Sequence, residues 1–149
     1  MDTLTYHLLL ADDDPDDCIF FKEALEDLPF QSTFSTVGNG VELMSLLNER
    51  ENDLPDVLFL DLNMPLKNGF ECLCEIKRNK NLIHLPVVIF STSFDPGVIT
   101  SLYEKGAGYY IRKPAEFGKL KTVIGKAITL ASATGMKKVP RENFVISNE

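Results

Sequence analysis

The sequence predicts an open, doubly wound α/β sheet of five βα units. Two observations carry this prediction. Short, continuous apolar runs such as Val57-Leu58-Phe59-Leu60 and Val87-Val88-Ile89-Phe90 alternate with stretches whose apolar residues recur at helical spacing. Runs that are apolar throughout are expected when helices cover both faces of a parallel sheet. The chain of 149 residues also suits one domain with one sizeable core.

Leu8 to Ala11 reads as the first strand and ends in acids. Asp14 followed by Pro15 is a helix start: a side-chain cap, then a proline whose missing N–H costs nothing at the first position. The helix runs to Leu28, with Phe21, Leu25 and Leu28 at helical spacing. Thr33 to Val37 alternates and forms the second strand, Asn39-Gly40 turns the chain, and Val41 to Arg50 is the second helix. Val57 to Leu60 is the third strand, and Gly69 to Asn79 the third helix. Val87 to Phe90 is the fourth strand, and Asp95-Pro96 opens a fourth helix that ends at Lys105, before Gly106 and Gly108. Tyr109 to Arg112 is the fifth strand. Glu116 to Ala131 is the fifth helix, with Leu120, Val123, Ile124, Ala127 and Ile128 on one face. The pattern then lapses. Residues 132–149 are polar, with Lys137, Lys138, Pro140 and Arg141, and read as a tail behind a domain of residues 6–131. Such a tail is too short to be a DNA-binding or catalytic output domain.

Composition limits the partners. The net charge of −7 opposes nonspecific DNA binding, which needs a basic surface. No apolar run approaches the roughly 18 residues that span a bilayer, and Leu8 to Ala11 is too short for a signal-peptide core. Cys18, Cys72 and Cys74 make an odd set without metal-ligand spacing, as expected of reduced thiols in a cytoplasmic protein.

In open α/β sheets, sites form beyond the carboxyl ends of the strands. The polar residues stand there: Asp12 and Asp13 after strand one, Asp61 after strand three, Ser91 after strand four, Lys113 after strand five. Each alone has a plain reading, as a helix cap, a turn hydroxyl or a solvated lysine. Together they form a set. Two like charges about 4 Å apart repel by roughly 4 kcal/mol at an effective dielectric of 20. Gathering three carboxylates therefore calls for a cation or protonation. An oxygen-rich site with room for water suits Mg²⁺. Adding a lysine and a hydroxyl gives the parts of a phosphoryl-transfer site, where catalysis is positioning and charge neutralisation.

Competing motifs fail on context. Asp12, Asp14, Asp16 and Glu23 match calcium-loop positions, but Asp17 stands where that loop needs glycine, and Pro15 lies inside it. A phosphatase using a strand-end Asp wants a second acid two residues on, and that residue is Asn63. Phosphate-loop and dinucleotide glycine patterns are absent, and His7 and His84 read as structural.

Leu8 to Asp13, Asp61-Leu62-Asn63-Met64-Pro65 with Gly69, Pro86 to Ser91 and Lys113-Pro114 resemble the CheY-like receiver domain of two-component response regulators. The resemblance covers about residues 6 to 131, and within the family the stand-alone regulators that partner bacterial phytochromes and other sensor kinases look somewhat nearer. It implies a flavodoxin-like (βα)5 fold with strand order 2-1-3-4-5. It implies a phosphoacceptor signalling protein, not an enzyme on external substrates. Asp61 would take phosphate from a phosphohistidine of a sensor histidine kinase or histidine phosphotransfer protein. Asp13, Asp61 and the backbone carbonyl of Asn63 would bind Mg²⁺ directly, with Asp12 acting through water. Ser91 and Lys113 would contact the phosphoryl oxygens, and Tyr110 would be the aromatic switch that follows Ser91. Asn63 and Thr92 would tune dephosphorylation. The Lys113-Pro114 bond would be cis. The signal would leave by protein contact, including a homodimer through the helix 4–strand 5–helix 5 face, with no nucleic acid or membrane partner. Two other readings stay open: a relay shuttle that passes phosphate onward, and a phosphate-independent interaction module. The latter would show a lost Asp or Lys, and none is lost.

Overall fold

The computed structural model describes residues 5–134 and 138–147. The strands are β1 (Thr5–Ala11), β2 (Gln31–Val37), β3 (Val57–Leu60), β4 (Val87–Ser91) and β5 (Tyr109–Arg112). The helices are α1 (Pro15–Glu26), α2 (Gly40–Glu49), α3 (Gly69–Arg78), α4 (Pro96–Glu104) and α5 (Phe117–Thr134). All strand pairs are parallel, in the order β2-β1-β3-β4-β5. The expected flavodoxin-like order is therefore the observed one.

Alternation along the strands divides the core in two. Leu9, Leu58, Leu60, Val87 and Ile89 pack with α2, α3 and α4 on one face. Leu8, Leu10, Phe59, Val88 and Ile111 pack with α1 and α5 on the other. Burying both faces explains why β3 and β4 are apolar at every position but the last of β4. Phe21 anchors the second face, 4.8 Å from the Phe59 ring and 5.5 Å from Phe90. Interlocked edge-to-face rings of this kind add roughly 0.5–1.5 kcal/mol per pair beyond the area they bury.

The helix starts match their capping residues. Asp14 accepts from the Asp16 N–H, Asn39 from Glu42 and Asp95 from Gly97 and Val98. Asn68 and Glu71 form a reciprocal capping box at α3. The calcium-loop reading fails here, because Asp16 and Asp17 lie in the first turn of α1.

β1 and β2 begin earlier than the apolar pattern indicated. Their extra residues are paired in register, Thr5 with Gln31 and His7 with Thr33. His7 is structural: its Nδ1 lies 2.7 Å from the Thr33 hydroxyl oxygen, and its N–H donates to Asp56. After α5 the chain departs from the expected polar tail. Arg141–Asn143 forms a 3-10 turn, Phe144 and Ile146 are buried, and Val145 forms a parallel bridge with Tyr110. Lys137, named in the tail reading, lies outside the described residues.

Candidate functional site

The residues predicted to converge do so at the carboxyl ends of β1, β3, β4 and β5. The ladder sets their spacing: the Asp61 N–H donates to the Ala11 carbonyl at 2.9 Å, fixing the end of β3 beside Asp12. The Lys113 N–H donates to the Ser91 carbonyl at 2.8 Å, fixing β5's end beside β4. Gly69 completes the frame. A Cβ there would lie 2.1 Å from the Asp61 carbonyl oxygen, so only glycine lets α3 start this close.

Asp12, Asp13 and Asp61 each present a carboxylate oxygen within 4.8 Å of the others. Asp12 and Asp61 are buried, and Asp13 is exposed. The Lys113 Nζ lies 2.8 Å from Asp12 Oδ2, 2.7 Å from Asp17 Oδ2 and 3.6 Å from Asp61 Oδ1. Backbone N–H groups support the acids as well: Asp14 donates to Asp12 at 3.0 Å, and the Leu62 and Asn63 N–H groups favour the ionised form of Asp61. Ser91 is buried at the end of β4, and its hydroxyl accepts from the Ser93 N–H at 3.2 Å. Asn63 and Thr92 are exposed at the rim.

Burial dominates the electrostatics. It pushes the Asp12 carboxyl up to about 6, against hydrogen bonds from Lys113 and Asp14 that work the other way. It raises Asp61 as well, opposed chiefly by Lys113. For Lys113 the balance reverses: burial alone would lower its pKa, but Asp12, Asp17 and Asp61 together hold it above the usual lysine range. One lysine thus faces three acids, so the pocket stays short of positive charge. That deficit, with an all-oxygen donor set, fits a hard divalent cation at Asp12, Asp13 and Asp61.

Two features differ from the sequence reading. Asp17 is a direct partner of Lys113, although an acid in a helix's first turn reads as a dipole complement. The only available signal was its place one turn beyond the Asp12-Asp13 pair. The Lys113-Pro114 bond is trans, since no described peptide bond is cis. Lys113 reaches both the Ser91 carbonyl and the acids with the trans bond, which X-Pro sequences favour intrinsically by about 0.5–1 kcal/mol. Tyr110, the expected switch residue, is fully buried and donates its hydroxyl proton to the Ser93 carbonyl.

This pocket on this sheet defines a class of phosphoacceptor signalling domain. A family model of the response regulator receiver domain matches residues 8–125, and the chain belongs to that family. Among curated proteins, the chain is 32% identical to response regulator Rcp1 of Synechocystis over 110 residues, 71% of this chain and 75% of Rcp1. It is 31% identical over 121 residues to the probable C4-dicarboxylate response regulator DctR of Bacillus subtilis, covering 81% of this chain but about half (51%) of DctR. Among solved structures, the phosphorylated cyanobacterial phytochrome response regulator RcpA superposes with a TM-score of 0.78 at 32% identity, covering 89% of this chain and 97% of RcpA. The Mn(2+)-bound form of Rcp1 superposes with a TM-score of 0.72 at 28% identity, covering 91% of this chain and 97% of that one. No helix among the described residues is long and apolar enough to cross a membrane.

Proposed function

We propose that Asp61 accepts a phosphoryl group from a phosphohistidine of a sensor histidine kinase or a histidine phosphotransfer protein, in a Mg²⁺-dependent reaction. The observation that carries this reading is the meeting of Asp12, Asp13 and Asp61 within 4.8 Å, with Lys113 3.6 Å from Asp61. The residues fit the metal: Asp13, Asp61 and the backbone carbonyl of Asn63 would hold Mg²⁺, with Asp12 acting through water. The ion would neutralise phosphoryl oxygens during transfer.

An Asp61 carboxylate oxygen attacks phosphorus in line with the bond to the donor imidazole. That P–N bond breaks, its electron pair returns to the imidazole nitrogen, and a mixed anhydride forms on Asp61. Lys113 turns from Asp12 and Asp17 toward the new phosphoryl oxygens, and Ser91 donates its hydroxyl proton to another. Both contacts are charge-assisted. Water entering past Asn63 and Thr92 later hydrolyses the anhydride. Exposed apolar side chains stand at the same end of the sheet: Ile19 and Phe20 on α1, Leu66 after β3 and Phe94 after β4. They suit a histidine-bearing partner. The receiver unit is residues 6–131, working in the cytoplasm, and its output is protein contact.

Labelling with acetyl phosphate tests the reading. The unaltered chain should gain one acid-stable, base-labile phosphate in the presence of Mg²⁺, and Asp61→Asn should gain none. Equal labelling of both would overturn the assignment. Transfer of the label onto a partner histidine would assign the chain to a relay.

A further inference from the structure

The segment Val139–Ser147 is fastened across α4, β5 and α5. Its centre pairs with the outer edge of β5: the Tyr110 N–H donates to the Phe144 carbonyl at 3.0 Å, and the Ile146 N–H donates to the Tyr110 carbonyl at 2.9 Å. Phe144 is fully buried, its ring 5.1 Å from Tyr103 of α4 and 6.4 Å from Tyr110. Three polar holds flank it. The Tyr103 hydroxyl donates to the Val139 carbonyl at 2.6 Å, Arg141 reaches the Thr100 hydroxyl at 3.3 Å, and Lys126 of α5 donates to the Ser147 carbonyl at 2.8 Å.

Tyr110 connects this segment to the acid pocket. Its backbone carries the pairing just described, and its hydroxyl bonds to the Ser93 carbonyl. The Ser91 hydroxyl in turn accepts from the Ser93 N–H at 3.2 Å. Ser91 cannot turn toward a phosphoryl group on Asp61 and keep that bond. The turn frees Ser93, whose carbonyl anchors the Tyr110 phenol, and the residue that pairs with Phe144 and Ile146 is then free to shift.

We infer that residues 139–147 are a strap that closes the α4–β5–α5 face, and that phosphorylation of Asp61 loosens it through Ser91, Ser93 and Tyr110. This rests on the acceptor reading of Asp61. Any partner using that face, a second copy of the chain included, must first displace the strap. Coupling of this kind is reciprocal: what loosens the strap must also favour the phosphorylated state.

Amide hydrogen exchange on the full chain tests the inference, with beryllofluoride and Mg²⁺ standing in for the phosphoryl group. The Tyr110 and Ile146 amides should exchange slowly in the resting chain and about tenfold faster with beryllofluoride, while the Asp61 amide on β3 stays slow. A fluorine resonance from bound beryllofluoride, absent in Asp61→Asn, shows that the acceptor site is filled. A filled site with unchanged Tyr110 and Ile146 exchange overturns the coupling. No resonance in the unaltered chain overturns the acceptor reading, and the coupling with it. In the reciprocal arm, Phe144→Ala and the milder Arg141→Ala should each raise the acetyl phosphate labelling rate several-fold. Faster Tyr110 exchange in Arg141→Ala with an unaltered labelling rate would overturn the proposal even if Phe144→Ala fails to fold.

Discussion

Lys113 and Asp12 form the most enclosed charge pair of the pocket, with Nζ 2.8 Å from Oδ2 and the Asp12 side chain wholly buried. Even so, Asp12 holds its proton more tightly than an ordinary carboxyl, because burial outweighs the lysine. Lys113 is shared among three acids and cannot neutralise each of them.

The pH dependence follows from that excess. The Asp12 carboxyl titrates near 6 when folded, against an ordinary value of 3.8. The folded state therefore binds the extra proton, so this group's contribution is full below about 3.8 and is lost as pH rises through 6. In EDTA, the chain should be more stable at pH 5 than at pH 7.5 by about 1–2 kcal/mol from this group. Mg²⁺ should reverse the trend at pH 7.5. Urea midpoints at the two pH values check it; equal midpoints in EDTA would refute the burial argument.

Asp17 and Lys113 should separate by phenotype. Asp17 is partly exposed, so Asp17→Asn should cost no more than about 1 kcal/mol. It should leave acetyl phosphate labelling within about threefold of normal, since Lys113 retains Asp12. Lys113→Ala removes the pocket's cation and should slow labelling by at least about 100-fold. Similar losses in both variants would mean that Asp17 acts on the phosphoryl group itself.

Gly69→Ala should disturb Asp61 without touching its carboxylate. The added methyl meets a carbonyl oxygen and has no flexible neighbour to displace. Destabilisation of about 1–3 kcal/mol is expected from the forced backbone shift. Labelling should fall more than stability, because the shift moves Asp61 relative to Asp12. A thermal melt and a labelling time course on the same sample separate the two effects.

Thr92 should govern how long the phosphate lasts. It is exposed next to Ser91, and under the proposed function its side chain would narrow the approach of water to the anhydride. Thr92→Ala should shorten the lifetime of the labelled form. An unchanged decay rate in Thr92→Ala would remove Thr92 from the account.

Most of the site was legible because strand ends are legible. Asp12, Asp61, Ser91 and Lys113 each follow an apolar run, and a parallel sheet brings such positions together. Asp17 was hidden because helix starts collect acids for their own reasons. The strap was hidden differently. Phe144-Val145-Ile146 is an apolar run, but three residues within a polar stretch lack the length that periodicity needs. Only the position of β5 at the sheet's edge gives that run something to pair with. The early starts of β1 and β2 were missed because their first residues are polar and exposed at the sheet's margin.

The sheet has two edges, and they are protected by different means. β2 guards its own side with polar residues, Ser32, Thr33, Ser35 and Thr36 among them. β5 reads Tyr-Tyr-Ile-Arg and has little polarity of its own, so its open hydrogen-bonding groups are covered by residues 144–146. An uncovered apolar edge is a template for strand-on-strand aggregation. The cover therefore also protects solubility: a chain cut after Thr134 should scatter light on storage at concentrations where the full chain stays clear.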